Sequence, residues 1–162
     1  MQARITNPAL KVPGAFEAFQ KLGASATNAG IPDTTLHMVR LRASQMNGCS
    51  VCVDIHSRRL EHAGESSERI ATVAVWRETS YFSGAERAAL ALTEAATRLG
   101  DRPDPVPDEV WDDAVRHFTE PQLAALVVAI AAINAYNRVN VTTRQISGEW
   151  VARAVQTAAH AA

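Results

Sequence analysis

The sequence predicts an all-α protein, and three observations predict it. No stretch alternates apolar and polar residues with period two, the mark of a half-buried strand. Two Ser/Thr-x-x-Glu/Gln boxes, Ser83 to Glu86 and Thr119 to Gln122, each open a long apolar segment, as helix starts do. Glycine- and proline-bearing breaks at Asn47-Gly48 and from Gly100 to Pro107 separate pieces of helical length.

Taken in order, residues 1–12 read as a short extended lead-in containing Pro8. A first helix starts near Pro13, which suits the opening turn, and carries Phe16, Phe19 and Leu22 at a spacing of three. The second spans about Pro32 to Met46. Its apolar residues, Leu36, Val39, Leu41, Ala43 and Met46, form no single stripe, which predicts burial on more than one side. Asn47-Gly48 ends it, because both residues tolerate positive φ. The third helix covers Cys49 to Ala63 with Gly64 as its stop, and Ser66 or Ser67 opens a short apolar segment from Ile70 to Trp76.

The box at Ser83 launches an Ala/Leu-rich helix to about Leu99, and a loop with three prolines follows. A further helix covers about Asp108 to Phe118, with Asp108 and Glu109 in its acidic first turn. The helix from Thr119 to about Asn140 is apolar almost all round and is the expected buried centre. No internal repeat is present, and no composition shift marks a boundary. We therefore expect one domain over 1–162, with a motif-bearing core at about 32–100.

Composition narrows the function classes. A chain of 162 residues, 47% hydrophobic, can build one real core. Its formal net charge of −1 gives no electrostatic reason to expect nucleic acid or an anionic membrane as partner. The uninterrupted apolar run from Leu123 to Ile133 is shorter than the roughly 18 residues of a spanning helix. The N-terminus has no basic-then-apolar signal pattern, so a cytoplasmic location is expected. In that reducing compartment a close cysteine pair is a catalytic or metal-binding feature sooner than a structural staple.

Both cysteines lie in Gln45-Met46-Asn47-Gly48-Cys49-Ser50-Val51-Cys52-Val53-Asp54-Ile55-His56. On a helix, Cys49, Cys52 and His56 fall within an arc of roughly 60°. Thiol chemistry needs a thiolate. The positive end of the helix dipole favours that anion in the first turn, and a histidine one turn beyond Cys52 can take its proton. Once one sulfur is oxidised to a sulfenic acid, the other is near enough to condense with it. The dipole alone favours Cys49 as the more acidic thiol, whereas His56 favours Cys52. Against this stand a pair of small core residues with a surface histidine, and a zinc site completed by His37 or His62. The second lacks a further CxxC or a His-x-x-x-His. His62 and His117 are expected on solvated faces, and His160 in a fraying tail.

The run from Leu41 to His56 resembles the core signature of the carboxymuconolactone decarboxylase-like superfamily, and within it the alkylhydroperoxidase D (AhpD) branch. The likeness continues through Trp76 and from Phe82 to Leu92, and recurs weakly from Asn134 to Val141. It implies an AhpD-like helical bundle with the CxxC motif at the N-terminus of a central helix. It also implies thiol-dependent reduction of hydroperoxides by a disulfide cycle, of peroxiredoxin type, with no cofactor and no metal. Implied partners are a hydroperoxide, a dithiol or thioredoxin/lipoyl-type electron donor, and further copies of the chain as a trimer or hexamer. The resemblance makes Cys52 the peroxidatic residue, Cys49 its resolving partner and His56 the proton acceptor.

Two positions depart from the family pattern. His37 stands where members with peroxidase relays carry a glutamate, and Val51 where a histidine often precedes the second cysteine. His37 can still pass a proton, its ordinary pKa being near 6.5. The rival readings are a decarboxylase or lactone-handling enzyme, which the cysteine pair disfavours, and a non-catalytic thiol redox sensor.

Overall fold

A computed structural model describes residues 2–100, 103–148, 150–152 and 155. The described residues hold seven α-helices and no strand: α1 (Ala15–Ser25), α2 (Asp33–Asn47), α3 (Ser50–His62), α4 (Ser67–Thr72), α5 (Gly84–Thr97), α6 (Asp108–His117) and α7 (Glu120–Thr142). Two 3-10 segments, Pro8–Leu10 and Val73–Glu78, complete them. The all-helical expectation holds.

The helix starts follow from local chemistry. Both capping boxes form, and Pro121 sits in the first turn of α7, where its missing N–H is harmless. Ser66, and not Ser67, caps α4. The lead-in is not extended throughout, because Asn7 caps a turn at Pro8–Leu10. The segment expected at Ile70 to Trp76 begins earlier as α4 and tightens into 3-10 geometry, with a kink at Val75.

Helix α2 packs on α3, α5 and α7. Seven of its residues are buried, among them Leu36, Met38, Val39 and Leu41. That is why its apolar residues make no single stripe. Helix α7 shares the middle of the bundle, with Leu126, Ala129, Ile130 and Ile133 buried. Among the described residues it is also the one helix long and apolar enough to cross a membrane, at 23 residues and mean hydropathy 1.3. Its apolar side chains are already packed against their own neighbours, including Leu36, Val39, Ala89 and Leu92. A second cluster, built on Met38, Leu41, Leu60, Trp76, Phe82 and Leu90, joins α2 and α3 to α5. A third cluster encloses the cysteines.

Candidate active site: a buried thiol pair

The cysteines owe their position to a two-residue junction, Gly48 and Cys49, between α2 and α3. Gly48 adopts φ 68°, and Cys49 N–H donates to Ser44 O at 3.0 Å, closing the last turn of α2. Gly48 N–H donates to Gln45 O at 3.3 Å, which completes a Schellman stop. Cys49 then serves at once as the N-cap of α3: its Sγ accepts from Cys52 N–H at 3.4 Å. The i, i+3 spacing brings the two Sγ atoms to 2.6 Å, both as free thiols.

The environment of the pair is dry on one side and polar on the other. Ala43, Val51, Ile133, Val151 and Val155 pack around it. Both cysteines are nearly enclosed, at 2% and 3% exposure. Cys49 nevertheless lines a cleft of about 360 Å³ together with Gly48, Ser50, Asn140, Arg144 and Gln145, whereas Cys52 lies behind it. Asn140 donates from Nδ2 to Cys52 Sγ at 3.4 Å.

Electrostatics divide the two thiols. The Cys52 thiol hydrogen-bonds a Cys49 anion and draws the Cys49 pKa down to about 7, with help from Cys52 N–H, Asn140 and Asn137. Cys52, as the donor of that bond, is pushed up, and burial and the neighbouring Cys49 charge push the same way. The pair therefore titrates as a unit in which the first negative charge belongs mostly to Cys49.

His56 is buried, and its Nδ1 lies 3.3 Å from Nδ1 of His37 on α2. Burial, then Arg40 and Arg59, lower the His37 pKa to about 3. Burial is also the chief cause that holds His56 well below its ordinary value, followed by His37, Arg40 and Arg59. Both rings are neutral at physiological pH, so one Nδ1 carries the proton and the other accepts it. Thus Cys49 meets Cys52, and His37 meets His56, with no hydrogen bond between the two pairs. His62 and His117 are exposed, as expected, and His160 lies outside the described residues. His62 hydrogen-bonds Arg58 O on the surface of α3, far from serving as a ligand beside the cysteines. Among the described residues no three His, Cys, Asp or Glu side chains are placed to hold a metal ion.

Asn134, Asn137 and Asn140 escaped the motif reading. They recur every third position and project polar groups from a buried helix toward the α2–α3 junction. Asn47 Nδ2 reaches Asn134 Oδ1 and Asn137 Oδ1, both at 2.9 Å, and Asn137 Nδ2 donates to Ser44 Oγ at 3.1 Å. Their regular spacing at the end of a largely apolar helix was the available signal, since amides buried in such a helix need partners. A separate cavity of about 340 Å³ lies by Arg42, Arg77, Glu94 and Arg98, remote from the thiols. There Glu94 is held by Arg42, Arg77 and Trp76.

The chain is similar in sequence and in fold to known proteins. A model of the carboxymuconolactone decarboxylase family matches residues 13–95. The uncharacterized protein YdfG of Bacillus subtilis is 36% identical over 113 residues, 70% of this chain and 76% of its own length. A crystal structure of an Agrobacterium tumefaciens protein of unknown function, provisionally assigned to antioxidant defence as AhpD, superposes with TM-score 0.84 at 34% identity. It covers 91% of this chain and 99% of that one. The debrominase Bmp8 shares the fold at TM-score 0.76 and 22% identity, over 90% of this chain and 76% of its own.

Proposed function

This chain belongs to the carboxymuconolactone decarboxylase family, on its AhpD-like branch, and from that premise we propose that it is a thiol-dependent hydroperoxide reductase. The observation that carries the reading is the Cys49–Cys52 pair, with sulfurs 2.6 Å apart and one of them facing a cleft. The lowered pKa and the cleft position support Cys49, not Cys52, as the sulfur that attacks first. That reverses the roles implied by family resemblance.

In the cycle, the Cys49 thiolate attacks the terminal peroxide oxygen and the O–O bond breaks. The departing alkoxide takes the Cys52 proton and leaves as an alcohol. Cys49 is then a sulfenic acid and Cys52 a thiolate, which attacks the Cys49 sulfur and expels hydroxide. Hydroxide takes up a proton from solvent in the cleft, where the Cys49 proton went at the start, and becomes water. His56 would join this relay only as the tautomer that donates from Nδ1 to His37, leaving Nε2 free to accept. An external dithiol, of lipoyl or thioredoxin type, attacks the disulfide at Cys49 and restores both thiols while it becomes a disulfide itself.

The working form is proposed to be a homo-oligomer, trimer or hexamer. The apolar stretch from Leu123 to Ile133 lends this no support, because most of it is buried within its own bundle. Debromination, the activity in the name of Bmp8, is the second reading. The cleft beside Cys49 disfavours it, having among the described residues no aromatic side chain to stack a halogenated ring.

The test is peroxide consumption with a dithiol donor, for wild type, Cys49→Ser and Cys52→Ser. Turnover in the wild type and its loss in both variants is expected. Oxidation that stops after one equivalent under every dithiol would replace the enzyme by a redox sensor, and debromination of 2,3,4-tribromopyrrole without peroxide turnover would favour the second reading.

A further inference from the structure

We propose that Asn7, far from the thiols in sequence, is a positioning residue for them: it fixes the Asn140 side chain with its N–H toward the sulfur pair. The inference rests on the thiol reading above. It begins at the N-terminal turn, where Asn7 Oδ1 accepts from Ala9 N–H at 3.0 Å. A backbone N–H can only donate, so this bond decides which end of the Asn7 amide is which. The other end, Nδ2, donates to Asn140 Oδ1 at 3.0 Å. Asn140 is buried, and with its oxygen so engaged its Nδ2 lies 3.4 Å from Cys52 Sγ. A reversed Asn140 would set two NH2 groups against each other and turn its oxygen toward the sulfurs.

The lead-in is anchored for this role at both ends of its contact with α7. Arg4 N–H donates to Thr143 O at 2.9 Å, and Arg4 Nη1 to Thr142 O at 2.9 Å. Gln145 Nε2 returns a bond to Ile5 O at 2.9 Å. An N–H aimed at Cys52 favours negative charge on the hydrogen-bonded pair, which titrates as a unit, so each link bears on thiolate formation at Cys49 as well. Among the described residues, the other titratable or charged groups near the pair are Tyr136 on α7, with Arg40 and Arg59 beside it, and Arg144 at the cleft, and the variants below leave all of them in place.

The experiment is the pH dependence of alkylation by iodoacetamide, which needs no peroxide and so stands apart from any failure of peroxidase activity. Asn140→Ala is expected to raise the thiol pKa by about one pH unit and slow alkylation at pH 6 close to tenfold. Asn7→Ser keeps a cap for Ala9 N–H but cannot reach Asn140, and is expected to slow it several-fold. In the double variant the Asn7 change should add nothing, because it acts through Asn140. An Asn7→Ser profile equal to wild type, or an additive double variant, overturns the proposal. Should Asn140→Ala fail to fold, the wild type still decides. Its Asn140 and Asn7 side-chain amide resonances should move across the thiol transition, and resonances that stay still would end the proposal.

Discussion

His37 and His56 face each other through their Nδ1 atoms at 3.3 Å, a half-buried imidazole against a buried one with no carboxylate between them. Arg40 and Arg59 add positive charge nearby, so neither ring protonates readily in the folded state.

The first consequence concerns acid stability. Unfolded histidine binds a proton below about pH 6.5, whereas folded His37 does so only below about 3. Stability from His37 is therefore complete above pH 6.5 and is lost progressively as pH falls toward 3. The slope contributed is up to about 1.4 kcal/mol per pH unit. Urea denaturation between pH 7 and 4 should show this slope, and His37→Gln should flatten it. An unchanged slope would mean that His37 is solvated.

A carboxylate at position 37 should change the proton chemistry. His37→Glu places a negative charge opposite His56 Nδ1, raises the His56 pKa and strengthens it as a proton acceptor. Peroxide reduction at pH 7 is expected to accelerate about tenfold, the lower end of general acid–base effects. NMR titration of His56 checks the pKa independently of the rate.

Sulfenic acid trapping distinguishes the two cysteines. In Cys52→Ser, whose hydroxyl can still donate to the thiolate, dimedone should label Cys49 after one equivalent of peroxide. In Cys49→Ser, labelling of Cys52 should be several-fold slower, because burial still pushes its thiol up once the Cys49 partner is gone, and it lies behind the cleft. Faster labelling at Cys52 would restore the roles implied by resemblance.

Gly48 tests the junction itself. Its φ of 68° is a left-handed conformation, and a Cβ there meets nothing within 4 Å. Gly48→Ala should thus destabilise by about 1–2 kcal/mol through backbone strain alone. Gly48→Asn should cost less, since asparagine tolerates that region. Chemical denaturation of the two variants measures both.

Much of the bundle was legible because its signals are local. Ser83 and Glu86, Thr119 and Gln122, and Asn47-Gly48 each act within one turn, so their spacing in sequence is their spacing in space. The Cys49–Cys52 contact is legible for the same reason. The meeting of His37 with His56 depends on how α2 lies against α3, and that is decided by Met38, Leu41 and Leu60 in a shared core. The cover supplied by Val151 and Val155, and the reach of Asn7 to Asn140, are contacts between distant parts of the chain that no short window contains.

Because a single residue both finishes α2 and begins α3, the motif has no slack. One amino acid inserted between Cys49 and Cys52 would swing the second sulfur by about 100° around its helix and part the pair. One inserted between Gly48 and Cys49 would cut the bond to Ser44 that sets where α3 departs. The interval is thus fixed by architecture as firmly as by chemistry, and length variation in this protein has to be absorbed elsewhere, as in the proline-bearing connection before α6.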